Sequence, residues 1–145
     1  MEPKLASGLT LAKDHEIFYL GNTNSGGAST NGQHSNRVYR YQESWTQLQI
    51  TNSEVFKPRS GLVGFCYNNC IYVFGGQEEK ASGSTVYSEW LKLNLATLEW
   101  EVLFESEFPR HSASCVLRGS KAYVFGGANS QGVFSTLLEL DLGNV

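Results

Sequence analysis

Tyr-Val-Phe-Gly-Gly stands at Tyr72–Gly76 and again, unchanged, at Tyr123–Gly127, 51 residues further on. A strand-forming run closed by a glycine pair and repeated at that period is an internal repeat, and a repeat of this size implies an architecture of stacked units. The glycine pair lets the backbone take angles, positive φ among them, that a side chain resists.

The second unit, about residues 58–104, is the clearest. Pro58-Arg59-Ser60-Gly61 opens it, Leu62–Tyr67 reads as a strand, and Asn68-Asn69 as the two-residue turn of a hairpin. Cys70–Phe74 is the return strand, ending at Gly75-Gly76. A polar loop, Gln77–Ser88, leads to a third strand at Glu89–Asn94, and Trp100-Glu101-Val102-Leu103 supplies a fourth. The third unit, about 109–145, opens with Pro109-Arg110-His111-Ser112. Its strands are Ala113–Leu117, Lys121–Phe125 before Gly126-Gly127, and Thr136–Asp141 after a loop at Ala128–Ser135, with no fourth strand. The first unit, about 3–50, is degraded. Pro3-Lys4 opens it, and Gly8–Ala12, Ile17–Leu20 and Arg37–Tyr41 are its strands. Gly21-Asn22 replaces the glycine pair, Thr23–Asn36 is a long polar loop expected to be mobile, and Trp45-Thr46-Gln47-Leu48 is the last strand. The three openings hold all three prolines of the chain, which fixes the register.

These residues resemble the kelch repeat family, over about Pro3–Leu142. The family pattern is a Pro-Arg opening, a hydrophobic hairpin ending in Gly-Gly, an aromatic-containing strand and a later tryptophan. The resemblance implies an all-β fold of kelch-type β-propeller blades, each of four antiparallel strands. About three blades are present, so the ring is incomplete. Gly75, Gly76, Gly126, Gly127, Trp45 and Trp100 are then motif residues, the two tryptophans packing between blades. Trp90 is expected either in the core or facing a partner; Tyr39, Tyr41, Tyr72 and Tyr123 are expected in the core. WD repeats lack the double glycine, and no Trp-Asp dipeptide occurs here. Because an open stack leaves edges and apolar faces exposed, the chain is expected to be part of a longer propeller, to close with a second copy, or to be capped by a partner.

Composition excludes several function classes. Eleven basic against fourteen acidic residues, with no dense Lys/Arg run, argue against nucleic acid or an anionic membrane as partner. Three cysteines, Cys66, Cys70 and Cys115, are too few for a disulfide scaffold, which points to a reducing, cytoplasmic setting. Cys66 and Cys70 read as small buried hydrophobes.

Catalytic chemistry finds little support. His15, His34 and His111 have no metal-ligand spacing, and no nucleophile or phosphate-loop motif is legible. No cofactor is expected. The resemblance extends to families with copper- and iron-dependent enzymes, but their metal constellations cannot be placed on this chain.

Topology selects a face. In an up-and-down blade the second-to-third and blade-to-blade connections share one end, and here those are the longest and most polar loops. Arg59, Arg110 and His111 stand at its mouth, with Glu78 and Glu79 on the adjoining loop. The arginines suit bidentate recognition of acidic or phosphorylated segments; the resemblance implies the same, since arginines at this motif position line a peptide-binding face in similar propellers. The alternatives are that they bond blade carbonyls or glutamates, and that Glu78-Glu79 is a solvated loop tip. The expected function is a non-enzymatic protein-interaction scaffold that binds a protein partner through this face. One alternative is a half-propeller that closes by homodimerisation or with a partner chain; another is a metal-dependent kelch-like enzyme.

Overall fold

The structure is a computed structural model that describes residues 5–6, 8–21, 23–24, 35–80 and 82–144. Pro3, Lys4, Asn22, His34 and most of the Thr23–Asn36 loop lie outside these residues. In chain order, β1 (Leu5–Ala6) precedes β2 (Leu9–Lys13) and β3 (Glu16–Leu20), and β4 (Thr23–Asn24) pairs back onto β1. With β5 (Val38–Gln42) and β6 (Ser44–Gln47), β2 and β3 form a four-stranded antiparallel sheet. The second sheet holds β7 (Val63–Tyr67), β8 (Cys70–Phe74), β11 (Glu89–Asn94) and β12 (Glu99–Glu105). Between β8 and β11 runs a separate hairpin, β9 (Gln77–Lys80) with β10 (Gly83–Val86). The third sheet has three strands, β13 (Ser114–Arg118), β14 (Lys121–Phe125) and β17 (Leu137–Asp141), and a small hairpin of β15 (Ala128–Asn129) with β16 (Gly132–Val133). The fold is thus nearly all-β, built of antiparallel propeller blades in an incomplete ring.

Local sequence explains the turns. Asn68 and Asn69 carry φ of 46° and 58°, the left-handed pair of one kind of two-residue hairpin, whereas the turns of the other two blades each hold a single left-handed residue, Asp14 or Gly119. Two polar stretches read as loops, Gln77–Ser88 and Ala128–Ser135, instead contain the β9–β10 and β15–β16 hairpins. Neither shows apolar alternation; each is anchored by a bridge to the preceding opening, Ser60 to Gln77 and His111 to Ala128.

The sheets pack face to face. Leu11, Phe18, Leu20 and Val38 of the first meet Ile71, Val73, Leu91 and Leu93 of the second, with Phe56 and Trp100 in the same core. Phe65, Tyr72, Phe74 and Trp90 on the other side of the second sheet meet Ala122, Val124 and Leu140 of the third. Trp90 is therefore a core residue, stacked on Phe74 at 4.8 Å. Trp100 stacks on Phe56 at 4.7 Å between the first two blades. Trp45 lies instead with Tyr19 and Tyr41 on the far face of the first sheet. Tyr39 and Tyr72 are buried, whereas Tyr41, on the same face as Tyr39, is exposed and Tyr123 is half-exposed on the side of the third sheet turned away from the second.

The outer edge of the second blade is strapped by the linker before it. Asn52 donates Nδ2–H to the Trp100 carbonyl and accepts the Trp100 N–H on Oδ1, both at 2.8 Å. The Thr51 N–H bonds the Leu98 carbonyl at 3.0 Å. One side chain and one amide thus occupy edge groups that would otherwise template another strand.

Candidate functional site

The connections β8–β11, β12–β13 and β14–β17 emerge at one end of the sheets by antiparallel alternation, and a cleft of about 670 Å³ opens there between the second and third blades. Gln77, Ser84 and Val86 of the β9–β10 hairpin line one wall. Glu107, Phe108, Pro109 and His111 form the floor, and Asn129, Ser130 and Gln131 at the β15–β16 tip close the other side. Backbone pairing holds both walls: Ser60 and Gln77 exchange bonds at 2.8 and 2.9 Å, and His111 and Ala128 exchange two at 3.0 Å. Asn129 donates Nδ2–H to the Pro109 carbonyl at 2.9 Å and accepts the Gln131 N–H at 2.8 Å, which fixes the tip to the floor.

Of the residues picked from sequence for this face, only His111 lines the cleft. It is half-exposed, with Nδ1 2.9 Å from the Ser112 hydroxyl. Glu78 sits beside the cleft, accepting the Tyr87 hydroxyl at 3.0 Å and pairing with Lys80 at 3.2 Å. Glu79 is exposed on the same hairpin.

The arginines correct the expectation of a cationic surface. Arg59 is 0% and Arg110 1% exposed, so neither presents its guanidinium to a partner. Arg59 donates Nε–H to the Lys57 carbonyl at 2.9 Å, Nη1 to the Gly75 carbonyl at 3.3 Å and Nη2 to Glu89 at 2.6 Å. The Tyr87 ring lies 3.8 Å from its guanidinium carbon. Burial pulls this guanidinium below the usual arginine range, and the Glu89 bond opposes that pull. Arg110 repeats the pattern one blade on, donating to Phe108 at 3.4 Å and Gly126 at 2.9 Å under the Phe134 ring. Thr136 stands where Glu89 stood: the Gly126 N–H bonds the Thr136 carbonyl as the Gly75 N–H bonds that of Glu89. Nη2 of Arg110 is consequently buried with no partner among the described residues. The motif arginine bonds blade carbonyls, the alternative the sequence left open.

Gln77, Phe108, Asn129 and Gln131 were not singled out from the sequence, although all four lie in the connecting loops that it assigns to this face. Among the described residues, no group of three His, Cys, Asp or Glu converges to hold a metal. No helix there is long and apolar enough to cross a membrane.

A model of the KLHDC2/KLHL20/DRC7 Kelch-repeats domain matches residues 10–145. The chain belongs to the kelch repeat family. Kelch domain-containing protein 1 of Homo sapiens is 29% identical over 85 residues, which is 56% of this chain and 21% of that protein. The tRNA wybutosine-synthesizing protein 2/3/4 of Oryza sativa subsp. japonica is 27% identical over 143 residues, 97% of this chain and 13% of that protein. This chain therefore spans well under half the length of either relative. The solved structure of YjhT superposes with a TM-score of 0.67 at 22% identity, over 88% of this chain and 36% of that one, and shares the fold. Kelch repeat domains generally serve as protein-interaction modules.

Proposed function

We propose that this kelch segment is a non-enzymatic, cytoplasmic interaction module that binds an extended stretch of a protein partner in the cleft between its second and third blades. The observation that carries the reading is the lining itself. The amides of Gln77, Asn129 and Gln131 and the hydroxyls of Ser84 and Ser130 offer donors and acceptors suited to a peptide backbone. Val86, Phe108 and Pro109 offer an apolar floor for one side chain. With both arginines internal, Glu107 and His111 are the only charged or titratable residues of the lining among the described residues, so the preferred segment is neutral or basic rather than acidic. The wybutosine-synthesis relative carries an enzyme's name, but the matched stretch is 13% of that protein.

A peptide-display library selected on the wild-type chain tests this. Selected peptides are expected to lose at least about tenfold in affinity for Phe108→Asp and Gln131→Ala, through the lost floor contact and unpaired backbone groups. Peptides that bind both variants as tightly as wild type, or a selection dominated by acidic sequences, would overturn the reading.

A further inference from the structure

Unpaired backbone groups specify what must cover them, and one wall of the cleft holds a row of them. We propose that the bound segment joins the free edge of β10 as an added strand, its backbone paired with Ser84 and Val86. Strand addition rests on the reading of the cleft as a peptide site and adds how the peptide is held there.

The phase of the β9–β10 ladder follows from the bonds at its base. The Tyr87 N–H bonds the Gly76 carbonyl at 2.8 Å, whereas the Gln77 N–H and C=O both turn to Ser60, at 2.8 and 2.9 Å. In an antiparallel pair, opposite residues alternate between bonded and non-bonded pairs. Gln77 stands opposite Val86 and Glu79 opposite Ser84, so these two are the non-bonded pairs. The N–H and C=O of Ser84 and Val86 therefore point away from β9. The hairpin is a two-stranded sheet, with no strand on that side of β10. None of these four groups has a hydrogen-bond partner among the described residues. The edge of β9 is covered by Ser60; the edge of β10 is open.

An open edge is a template for another chain unless it is blunted. Asn52 and Thr51 blunt the outer edge of the second blade, but Gly83-Ser84-Thr85-Val86 carries no lysine, proline or bulge that would do so for β10. Instead β10 lies in the wall of the cleft, with Asn129, Ser130 and Gln131 across from it. That confined place suits one extended chain rather than the edge of a second sheet, which is the geometry of recognition by strand addition.

The register sets what the segment must be. Ser84 and Val86 are two residues apart and both line the cleft. Residues paired across two strands share a face, so the peptide residues opposite Ser84 and Val86 also turn into the cleft, and the one between them turns out. Whichever way the segment runs, it donates two N–H groups from positions two residues apart, to the Ser84 and Val86 carbonyls. Proline is excluded at those two positions.

A peptide selected on the cleft is the probe, methylated at one backbone nitrogen at a time. Two positions, two residues apart, are expected to lose at least about tenfold in affinity, and the position between them to stay within about threefold of the parent. Ser84→Pro removes an outward N–H and no bond of the hairpin, and is expected to lose at least about tenfold as well. Ser84→Ala keeps the backbone and is expected to bind within about threefold of wild type. Circular dichroism and thermal melting show that each variant folds; if Ser84→Pro does not, the methylation scan on the wild type decides. Losses without the two-residue spacing, or a folded Ser84→Pro that binds as wild type, overturn strand addition. So does an equal loss in Ser84→Ala, which would assign the contact to the hydroxyl. In each of these cases losses at Phe108→Asp and Gln131→Ala leave the cleft standing as the peptide site, whereas a selection with no cleft-dependent peptide overturns both.

Discussion

Arg59 and Arg110 hold the same motif position and the same carbonyl bonds, but only Arg59 has a counter-charge. A buried guanidinium keeps its charge at the cost of desolvation, and a hydrogen-bonded carboxylate offsets that cost. Replacing Thr136 by Glu restores the acid at the equivalent position. Thr136→Glu is expected to stabilise the chain by about 1.5–3 kcal/mol, the range for a hydrogen bond to a charged group. Equilibrium urea unfolding reads this directly; an unchanged or lowered midpoint would mean that Nη2 of Arg110 has no need of an acceptor. Sequence reading put both arginines at the mouth of the loop face and left open whether they meet a partner or bond blade carbonyls and glutamates. The groups that bury Arg59, among them Gly75, Tyr87 and Glu89, lie up to 30 residues away in the chain, where no local pattern reveals them.

Strands were legible and their junctions were not. The runs Cys70–Phe74, Glu89–Asn94 and Lys121–Phe125 could be bounded to the residue, because short apolar runs flanked by polar, asparagine or glycine turn residues mark them. The β9–β10 hairpin was hidden, since Gln-Glu-Glu-Lys and Gly-Ser-Thr-Val carry no apolar stripe. The glycine pairs were read correctly as special backbone, with Gly75 and Gly126 at φ of 71° and 77°. Their surroundings nevertheless differ. A Cβ on Gly75 would sit 2.3 Å from the Arg110 carbonyl oxygen of the next blade, whereas on Gly126 the nearest atom is 3.7 Å away. Gly126→Ala therefore meets only the left-handed backbone penalty of about 1–2 kcal/mol. Gly75→Ala must also push two blades apart and is expected to cost at least roughly 3 kcal/mol, once overpacking is added. Thermal or urea melts of the two variants compare them; equal losses would show that the blade junction yields freely.

At the scale of the whole molecule, the interior between blades stores titratable groups in their neutral forms. Burial pushes the Cys66 and Cys115 thiols up to about 11 from 9.0, and burial, then the Glu78 hydrogen bond, raises Tyr87 to about 12 from 10.0. Below pH 9 these groups are protonated in both states, and their contribution to stability is fully present. Above pH 9 the unfolded chain releases protons that the folded chain keeps, so stability falls as pH rises through about 11, with the tyrosine extending the loss to about 12. A loss on the order of 2 kcal/mol between pH 8.5 and pH 11 is expected in urea unfolding, given the size of such shifts. Cys66→Ser with Cys115→Ser should flatten the earlier part of that decline. A decline as steep in the double variant would assign it to other groups.

The bond from the Gly76 N–H to the Arg110 carbonyl sets where this chain can be divided. By sequence the second repeat ends before Pro109. Mechanically it ends after Arg110, because the first residues of the third repeat are the clasp of the second. A truncation made at the sequence boundary would discard the clasp of the blade it meant to keep, while a fusion made two residues later would retain it. Swaps of single repeats between kelch chains should follow the same offset: the opening belongs with the glycine pair that receives it, not with the strands that follow.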